Sequence, residues 1–294
     1  MKPRGFDYVA PTTLDGALKA LSEGGDDARL LAGGQTLVPI MNFRLATPSL
    51  LVDLNGIKEL SGIALQPDGS LRIGAMTRHR MVELSKLVRE EMPLLHAAMP
   101  YIAHVQIRNR GTIGGSLAHC DPAAEWPALC LALDARITAV GPSGTRTIPA
   151  ADFSLGILTT ALEPDEILTE VNFPKRKPGQ RFGLQEMARR RGDFALAGIA
   201  CAMDFDDDNV VKMSRIVAFG VEDKAVLLEA VSSAIRGRKL TDALLRDVGG
   251  FASTLVSPRD DFHASEEYRR ELVDVLLRRA LAQAAAAPDF KKAA

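Results

Sequence analysis

Two glycine pairs about 80 residues apart constrain the fold of this chain more than any other feature of its sequence. Gly33-Gly34 lies within the segment Leu31–Pro39, and Gly114-Gly115 lies within the segment Arg110–Pro122. Because glycine has no Cβ atom, each pair lets the backbone turn sharply and come close to a ligand. Peptide N–H groups from two such segments can close on a pyrophosphate, so the sequence predicts a dinucleotide held between two lobes.

Residues 1–55 are predicted to form a small α/β lobe. Strands are expected at Phe6–Val9, Arg29–Ala32 and Leu50–Leu54. A helix capped by Thr13 and a shorter helix from about Thr36 to Phe43 are expected between them. The resulting βαβαβ order favours a parallel sheet.

Residues 56–176 are predicted to form a second lobe built on hairpins, which completes a domain of residues 1–176. The turn residues Pro67–Ser70 and Pro142–Gly144 each separate two apolar runs, which indicates antiparallel strand pairs. The expected strands are 63–65, 71–75, 136–140, 145–148 and 166–173, and the expected helices are 77–90, 93–101 and 122–133.

A polar, basic segment at 175–181 with Pro and Gly is typical of a linker. Residues 180–285 are predicted to form a C-terminal α+β domain with an antiparallel sheet and helices. Its strands are expected at 182–189, 195–205 and 210–221, and the inner stripe of its last helix at Leu272, Val275, Leu276 and Leu281. Residues 286–294 are predicted to be a loose tail. The overall fold class is therefore α+β.

Charge and hydropathy exclude several classes of partner. The formal net charge is -1, which gives no bulk attraction to nucleic acid. No apolar run reaches the roughly 18 residues that a bilayer crossing needs. The N-terminus lacks the apolar core of a signal peptide, so a cytoplasmic location is expected.

The chain contains three cysteines, Cys120, Cys130 and Cys201, whose spacing matches no zinc site and no disulfide framework. A [2Fe–2S] cluster normally takes four thiolates. Any iron–sulfur chemistry must therefore lie on a partner, and no metal site is expected in this chain.

Four segments taken together resemble one protein family: 32–36 (AGGQT), 107–115 (IRNRGTIGG), 191–196 (RGDFAL) and 261–270 (DFHASEEYRR). They are similar to the FAD-binding medium subunit of molybdenum hydroxylases, the family of carbon monoxide dehydrogenase and xanthine dehydrogenase. The resemblance spans residues 1 to about 285. It implies two lobes that clasp FAD, in the fold of vanillyl-alcohol oxidase-like flavoproteins, followed by the C-terminal α+β domain.

The same resemblance implies a role in electron transfer. FAD would be bound non-covalently and would take electrons from [2Fe–2S] clusters on a small partner subunit, for delivery to an external acceptor. Those electrons would come from a molybdopterin site on a large subunit, where the organic substrate is oxidised. The expected assembly is a dimer of heterotrimers.

Site residues follow from the resemblance position by position. Around the pyrophosphate it places Leu31, Ala32, Gly33, Gly34, Gln35, Thr36 and Leu37, with Thr112, Gly114, Gly115 and Ser116 as a second cradle. It implies that Ile102 and Ala103 cover one flavin face, that Phe194 covers the other, and that Leu168 and Gln185 contact the ring system. It also implies that Glu125 accepts hydrogen bonds from flavin hydroxyls and that Asp121 shapes the loop beside His119.

The residues alone leave other interpretations open. His119, Asp121 and Glu125 could form a metal site or an acid–base pair, and Phe194 could be a core residue. The arginines 189–191 could be exposed or could face a partner or an anionic flavin. At the level of function, a self-contained FAD-dependent oxidase or reductase and a flavin-free assembly subunit are the alternatives.

Overall fold

Four β-sheets organise the computed structural model, which describes residues 1–286. The strands are β1 (Asp7–Val9), β2 (Ala28–Leu31), β3 (Leu50–Asp53), β4 (Ile63–Leu65), β5 (Leu71–Gly74), β6 (Arg136–Gly141), β7 (Gly144–Pro149), β8 (Ser154–Gly156), β9 (Thr159–Thr160), β10 (Ile167–Phe173), β11 (Gln180–Met187), β12 (Ala197–Phe205), β13 (Val211–Phe219) and β14 (Val226–Leu227). The sheet orders are β1-β3-β2, β4-β5-β10-β6-β7, β8-β9 and β11-β12-β13-β14.

Helices connect and cover these sheets. They are α1 (Leu14–Gly24), α2 (Leu37–Asn42), α3 (His79–Leu84), α4 (Lys86–Glu91), α5 (Pro93–Ala98), α6 (Val105–Arg108), α7 (Ile113–His119), α8 (Glu125–Ala132), α9 (Ala150–Phe153), α10 (Glu229–Ile235), α11 (Asp242–Thr254) and α12 (Glu266–Ala286). Short 3₁₀ turns occur at Gly25–Asp27, Leu54–Gly56 and Lys58–Leu60.

The N-terminal lobe is the predicted parallel sheet, with β3 between β1 and β2. Thr13 caps α1 by accepting a hydrogen bond from the Gly16 amide at 3.2 Å. The helix ends at Gly24, and its C-cap residue Gly25 has a φ of 55°. Ala17 and Leu21 are buried on the face of α1 that packs on the sheet, in a small core that also includes Met76 and Ile167 of the second lobe.

The second lobe is an antiparallel sheet, and both predicted hairpins are confirmed as β4-β5 and β6-β7. Every residue of α8 is buried, and its fully buried Trp126 lies in the largest core. The helix predicted from 122 to 133 begins later than expected, at Glu125. The preceding chain is held in a turn because Asp121 Oδ1 accepts a hydrogen bond from the Ala123 amide at 2.9 Å.

The single helix predicted over 77–90 is wrong. The chain leaves helical geometry at Ser85, where ψ is 118°, and α3 and α4 lie on either side. The Ser85 hydroxyl accepts a hydrogen bond from the Val88 amide at 3.2 Å and so caps the second helix. Serine competes with helix continuation in this way because its short side chain reaches the backbone of the next turn.

The sheet of the C-terminal domain is antiparallel, as its sequence predicted, and its two faces pack against different neighbours. Ile199 and Cys201 of β12 pack towards the helices, whereas Ala200 and Ala202 pack into the core of the second lobe. The sheet thus lies between α12 and the second lobe. Within the described residues, no helix has both the length and the apolar composition that a bilayer crossing would need.

The long last helix differs from its prediction in two details. Leu272, Leu276 and Leu281 are buried as expected, but Val275 is only partly buried and Val273 and Leu277 take its place. Ala286, the first residue of the predicted loose tail, is the last residue of α12. Residues 287–294 lie outside the described part of the chain.

Candidate functional site

A cleft of about 1530 Å³ runs between the two N-terminal lobes and along the edge of the C-terminal domain. This volume exceeds that of ordinary small-molecule pockets, which suits a ligand as large as a dinucleotide. All of the predicted site residues except Leu31 and Gln185 line it. They are Ala32, Gly33, Gly34, Gln35, Thr36, Leu37, Ile102, Ala103, Thr112, Gly114, Gly115, Ser116, His119, Asp121, Glu125, Leu168 and Phe194.

The first glycine segment joins the end of β2 to the start of α2 and offers unpaired peptide donors. Among the described residues, the N–H groups of positions 33–36 have no hydrogen-bond acceptor. Gly34 has a φ of +71°, which glycine adopts without strain. The turn is stabilised through its carbonyl groups instead. Gln35 Nε2 donates to Gly33 O at 3.1 Å, and Asn55 Nδ2 donates to Ala32 O at 3.0 Å. A row of free N–H groups in a turn is a ready anion site.

The second glycine segment is not the open loop that the sequence suggested. It forms the first turn of α7, where Thr112 Oγ1 accepts a hydrogen bond from the Gly115 amide at 3.1 Å. The peptide N–H groups of residues 113–116 all donate within the chain. This segment therefore contributes hydroxyls rather than peptide donors, because the Thr112 O–H proton and the Ser116 hydroxyl remain able to donate.

The two glycine segments also touch each other directly. A Cβ atom added at Gly33 would lie 2.5 Å from Arg110 O and 2.8 Å from Gly111 Cα. A Cβ atom added at Gly115 would lie 3.4 Å from the Ala32 Cβ. The absence of side chains thus lets the two lobes meet at the floor of the cleft.

One wall of the cleft is apolar and is held by a residue that sequence reasoning did not single out. Ile102 is buried, and Ala103 next to it has a φ of +47°. The buried Arg108 donates to Ile102 O at 3.0 Å and to Ala103 O at 2.7 Å, and it is paired with Glu83. An arginine shortly before a glycine-rich turn could have indicated this role in the sequence, because the five N–H donors of a guanidinium group can bind several loop carbonyls at once.

Across the cleft, Phe194 is 58% exposed, so the open interpretation of this residue as a core residue is excluded. It follows Gly192, whose φ of +90° turns the chain at this point. Leu168 is buried in β10. Arg189 also lines the cleft, 2.8 Å from His263 Nδ1, and the arginines 189–191 are exposed.

Gln185 lies away from the cleft. It is in β11, opposite Ile199, on the face that packs towards α12. Its side-chain amide donates to Gln283 Oε1 at 2.9 Å. Because side chains alternate between the two faces of a strand, the next residue, Glu186, is the one that points to the second lobe.

Glu125 and Glu186 form a pair of interacting carboxyl groups beside the cleft. Glu125 begins α8 and is 6% exposed; its pKa is raised by burial and by the Asp121 carboxylate. The pKa of Glu186 is raised by burial and by the charge of Glu125, and its Oε2 atom is buried without a hydrogen-bond partner among the described residues. Burial and mutual repulsion thus favour the protonated forms of these carboxyl groups, and the two groups titrate as a pair.

This pair predicts a pH dependence of stability. A carboxyl group whose folded-state pKa is raised stabilises the fold fully below its ordinary pKa, and that stability is lost as the pH rises through the raised value. We therefore expect the free energy of unfolding of the cofactor-free chain to fall between about pH 5 and about pH 8, and Glu186→Gln to reduce that fall by about 1–2 kcal/mol. Urea titrations at both pH values test this, with the exposed Glu271→Gln as the control. An unchanged pH slope in Glu186→Gln would exclude the coupling.

The described residues contain no group of three or more His, Cys, Asp or Glu side chains placed to hold a metal ion. Cys120, Cys130 and Cys201 are all free and buried. His119, Asp121 and Glu125 share the cleft rim but do not form a metal cluster. The chemistry of the cleft therefore rests on peptide donors, hydroxyls, apolar walls and one carboxyl pair.

Comparisons with known proteins agree with this arrangement. A family profile described as the FAD binding domain in molybdopterin dehydrogenase matches residues 4–176. A second profile, described as the CO dehydrogenase flavoprotein C-terminal domain, matches residues 183–284. The chain is 39% identical over 284 residues to the 6-hydroxypseudooxynicotine dehydrogenase complex subunit alpha of Paenarthrobacter nicotinovorans, which covers 97% of this chain and 96% of that protein.

Two further similarities extend over almost the whole chain. Caffeine dehydrogenase subunit beta of Pseudomonas sp. strain CBB1 is 36% identical over 286 residues, which is 97% of this chain and 96% of that protein. Among solved structures, a carbon monoxide dehydrogenase from Hydrogenophaga pseudoflava that lacks the Mo-pyranopterin moiety superposes with a TM-score of 0.94. That chain is 37% identical, with coverage of 97% of this chain and 99% of the other.

Proposed function

The chain belongs to the family of FAD-binding subunits of molybdenum hydroxylases, and from this premise we propose that it transfers electrons from [2Fe–2S] clusters of a partner subunit to an external acceptor. FAD supplies the redox chemistry when it is bound, because a flavin accepts electrons singly and passes them on. The chain itself binds the cofactor, orients it and shields it. The organic substrate is oxidised on another subunit.

The observation that carries this proposal is the row of unpaired peptide N–H groups at positions 33–36, in a cleft that Thr112 and Ser116 also line. Peptide donors that find no acceptor within the chain are satisfied by water or by a ligand. Phosphate oxygens satisfy several such donors at once. The residues present therefore fit a pyrophosphate, and the remainder of the cleft fits the flavin and adenosine parts of FAD.

The walls of the cleft have a separate task, which is to restrict water around the redox-active ring. Ile102 and Leu168 are buried apolar residues, and Phe194 presents an exposed aromatic face on the opposite side. Arg108 keeps the Ile102–Ala103 segment in place through its two carbonyl contacts. Apolar cover and the nearby carboxyl group of Glu125 are means by which a protein tunes a flavin.

We propose a complex with a small iron–sulfur subunit and a large molybdopterin subunit, assembled as a dimer of heterotrimers. The similar proteins are named as subunits or medium chains of dehydrogenase complexes, which supports partner subunits. Two-fold symmetry is the commonest closed arrangement of soluble oligomers. The three free cysteines suit a reducing compartment, which supports a cytoplasmic location.

The same proposal includes the domain division. A FAD-binding domain of residues 1–176, with lobes of residues 1–55 and 56–176, precedes a C-terminal domain of residues 180–285. A parallel lobe facing an antiparallel lobe across the cleft supports the vanillyl-alcohol oxidase-like type for the first domain. A core of its own between the sheet and α10–α12 supports the second domain.

FAD is expected to be released by acid. No nucleophilic side chain among the described residues stands out as a tether, since all three cysteines are buried and the pKa of each thiol is raised by burial. Acid precipitation of the purified yellow protein should leave FAD in the supernatant, identified by chromatography. Flavin that stays with the pellet would contradict non-covalent binding, and FMN in the supernatant would contradict the pyrophosphate site.

A further inference from the structure

A buried histidine, His79, lies under the second glycine segment. It begins α3 and is 4% exposed. Its ring lies beside that of the fully buried Trp126, with 5.9 Å between ring centroids and 26° between ring planes. Trp126 Nε1 donates a hydrogen bond to His79 Nδ1 at 3.0 Å.

This contact fixes the protonation state of the ring by geometry. An indole N–H can only donate, so His79 Nδ1 must be the acceptor and carries no proton. The ring is then neutral, with its single proton on Nε2. Burial, followed by the charges of Arg108 and Arg78, lowers the pKa of His79 to about 3, which keeps the same tautomer throughout the physiological range.

The ring edge that carries Nε2 lies beside Gly111 at the floor of the cleft. Nε2 lies 2.9 Å from the place that a Cβ atom on Gly111 would occupy, and the His79 amide donates to Gly111 O at 3.0 Å. Gly111 immediately precedes Thr112, the cap of α7, and both residues line the cleft together with His79. Within residues 1–286, Nε2–H has no hydrogen-bond acceptor, and Nε2 is not among the side-chain atoms that are fully buried without a partner, so it is accessible to a ligand or to water in the cleft.

We propose that His79 is a cofactor-binding residue whose Nε2–H donates a hydrogen bond to a phosphate oxygen of the bound dinucleotide, and that Trp126 is the positioning residue that fixes this tautomer. The inference rests on the proposed function, because it takes the cleft to be the FAD site. A neutral donor suits this place: Arg78 and Arg108 already put positive charge next to the ring, and a charged imidazolium would repel both.

Direct titration of the full-length, cofactor-free protein tests the donor. His79→Gln keeps an N–H donor near the position of Nε2, whereas His79→Leu has a similar volume and no donor. We expect His79→Leu to weaken the binding of FAD and of ADP about tenfold, and His79→Gln to stay within about threefold of wild type. Calorimetry with adenosine, which has no phosphate, is the matched control and should show equal binding in all three proteins.

Equal weakening of FAD and ADP binding in the Leu and Gln variants would overturn the donor role, and so would unchanged binding in both. Failure of the wild type to bind FAD or ADP is a different result, because it would remove the proposed function itself. Circular dichroism of each variant identifies any loss of fold.

A spectroscopic measurement keeps the inference testable if a variant does not fold. In ¹⁵N-labelled wild-type protein, the His79 ring should show a protonated Nε2 and an unprotonated Nδ1. Its Nε2–H resonance should move when ADP is added but not when adenosine is added. Trp126→Phe removes the donor to Nδ1, so the ring should become a mixture of tautomers. An Nε2–H signal that does not respond to ADP would exclude the contact with phosphate.

Discussion

Replacing Gly33 with valine is expected to abolish FAD binding while the secondary structure of the chain stays close to that of the wild type. The Cβ atom alone would lie 2.5 Å from Arg110 O and 2.8 Å from Gly111 Cα, and both are backbone atoms that no side-chain rotation can clear. The first glycine segment must therefore move away from the second. That movement would displace the unpaired N–H groups of positions 33–36 from the hydroxyl of Thr112.

Cofactor occupancy from the visible spectrum, measured together with far-ultraviolet circular dichroism, tests this prediction. Gly250→Val is a suitable control, because nothing lies within 4 Å of a Cβ atom at that position. Gly115→Val is expected to act in a related way, since its Cβ atom would lie 2.9 Å from Thr112 Oγ1 and would push away the α7 cap. Full occupancy in Gly33→Val would mean that the cofactor is held elsewhere.

The reason for the glycine at position 33 illustrates what the sequence could and could not predict. A glycine pair after a strand predicts close approach of the backbone to something, and the structure does have such an approach. The sequence suggested phosphate as the partner of Gly33. In the structure the nearest partner is the other glycine segment, a contact between residues almost 80 positions apart in the chain. Only the folded chain shows that these two segments meet.

The secondary structure was predictable where local signals agree. Turn residues between apolar runs gave both hairpins of the second lobe, and the βαβαβ order gave the parallel sheet. The exceptions are residues whose side chains hydrogen-bond to the backbone. Ser85 divides a continuous helical pattern in two, and Thr112 turns a glycine-rich loop into the start of a helix. Serine and threonine are both preferred N-cap residues, so Ser85 and Thr112 could have been recognised in the sequence as starts of helices.

Site residues on strands were harder to assign than those on loops. Gln185 and Glu186 are neighbours in β11, so their side chains lie on opposite faces of the sheet. Gln185 points towards α12 and Glu186 points towards the second lobe, and an error of one position in the assignment therefore selects the wrong face. Phe182 and Leu184 are buried against the second lobe, so the alternation identifies Glu186 as the inward residue. His79 and Trp126 are 47 positions apart, and no spacing rule joins them.

Assembly with partner subunits is the prediction with the broadest consequence. The described part of this chain has no group of His, Cys, Asp or Glu placed to hold a metal ion, and its three cysteines are buried and free. A flavin that takes electrons from an iron–sulfur cluster therefore needs that cluster on another chain, within tunnelling distance. Co-expressed with the neighbouring coding regions, this chain is expected to elute from gel filtration as one complex with iron and molybdenum in fixed ratio to FAD. A permanent complex of this kind usually buries more than about 2,000 Å².

Reduction of the flavin separates this function from the alternatives. In the complex, the organic substrate should bleach the flavin absorbance. In the isolated chain, the same substrate should leave it unchanged, whereas dithionite should reduce it. The Gly33→Val subunit gives the matched control, because its complex should keep iron and molybdenum and lose electron flow to the external acceptor. An isolated flavoprotein that turns over an organic substrate at full rate would establish a self-contained oxidase or reductase. A complex without flavin would establish an assembly subunit.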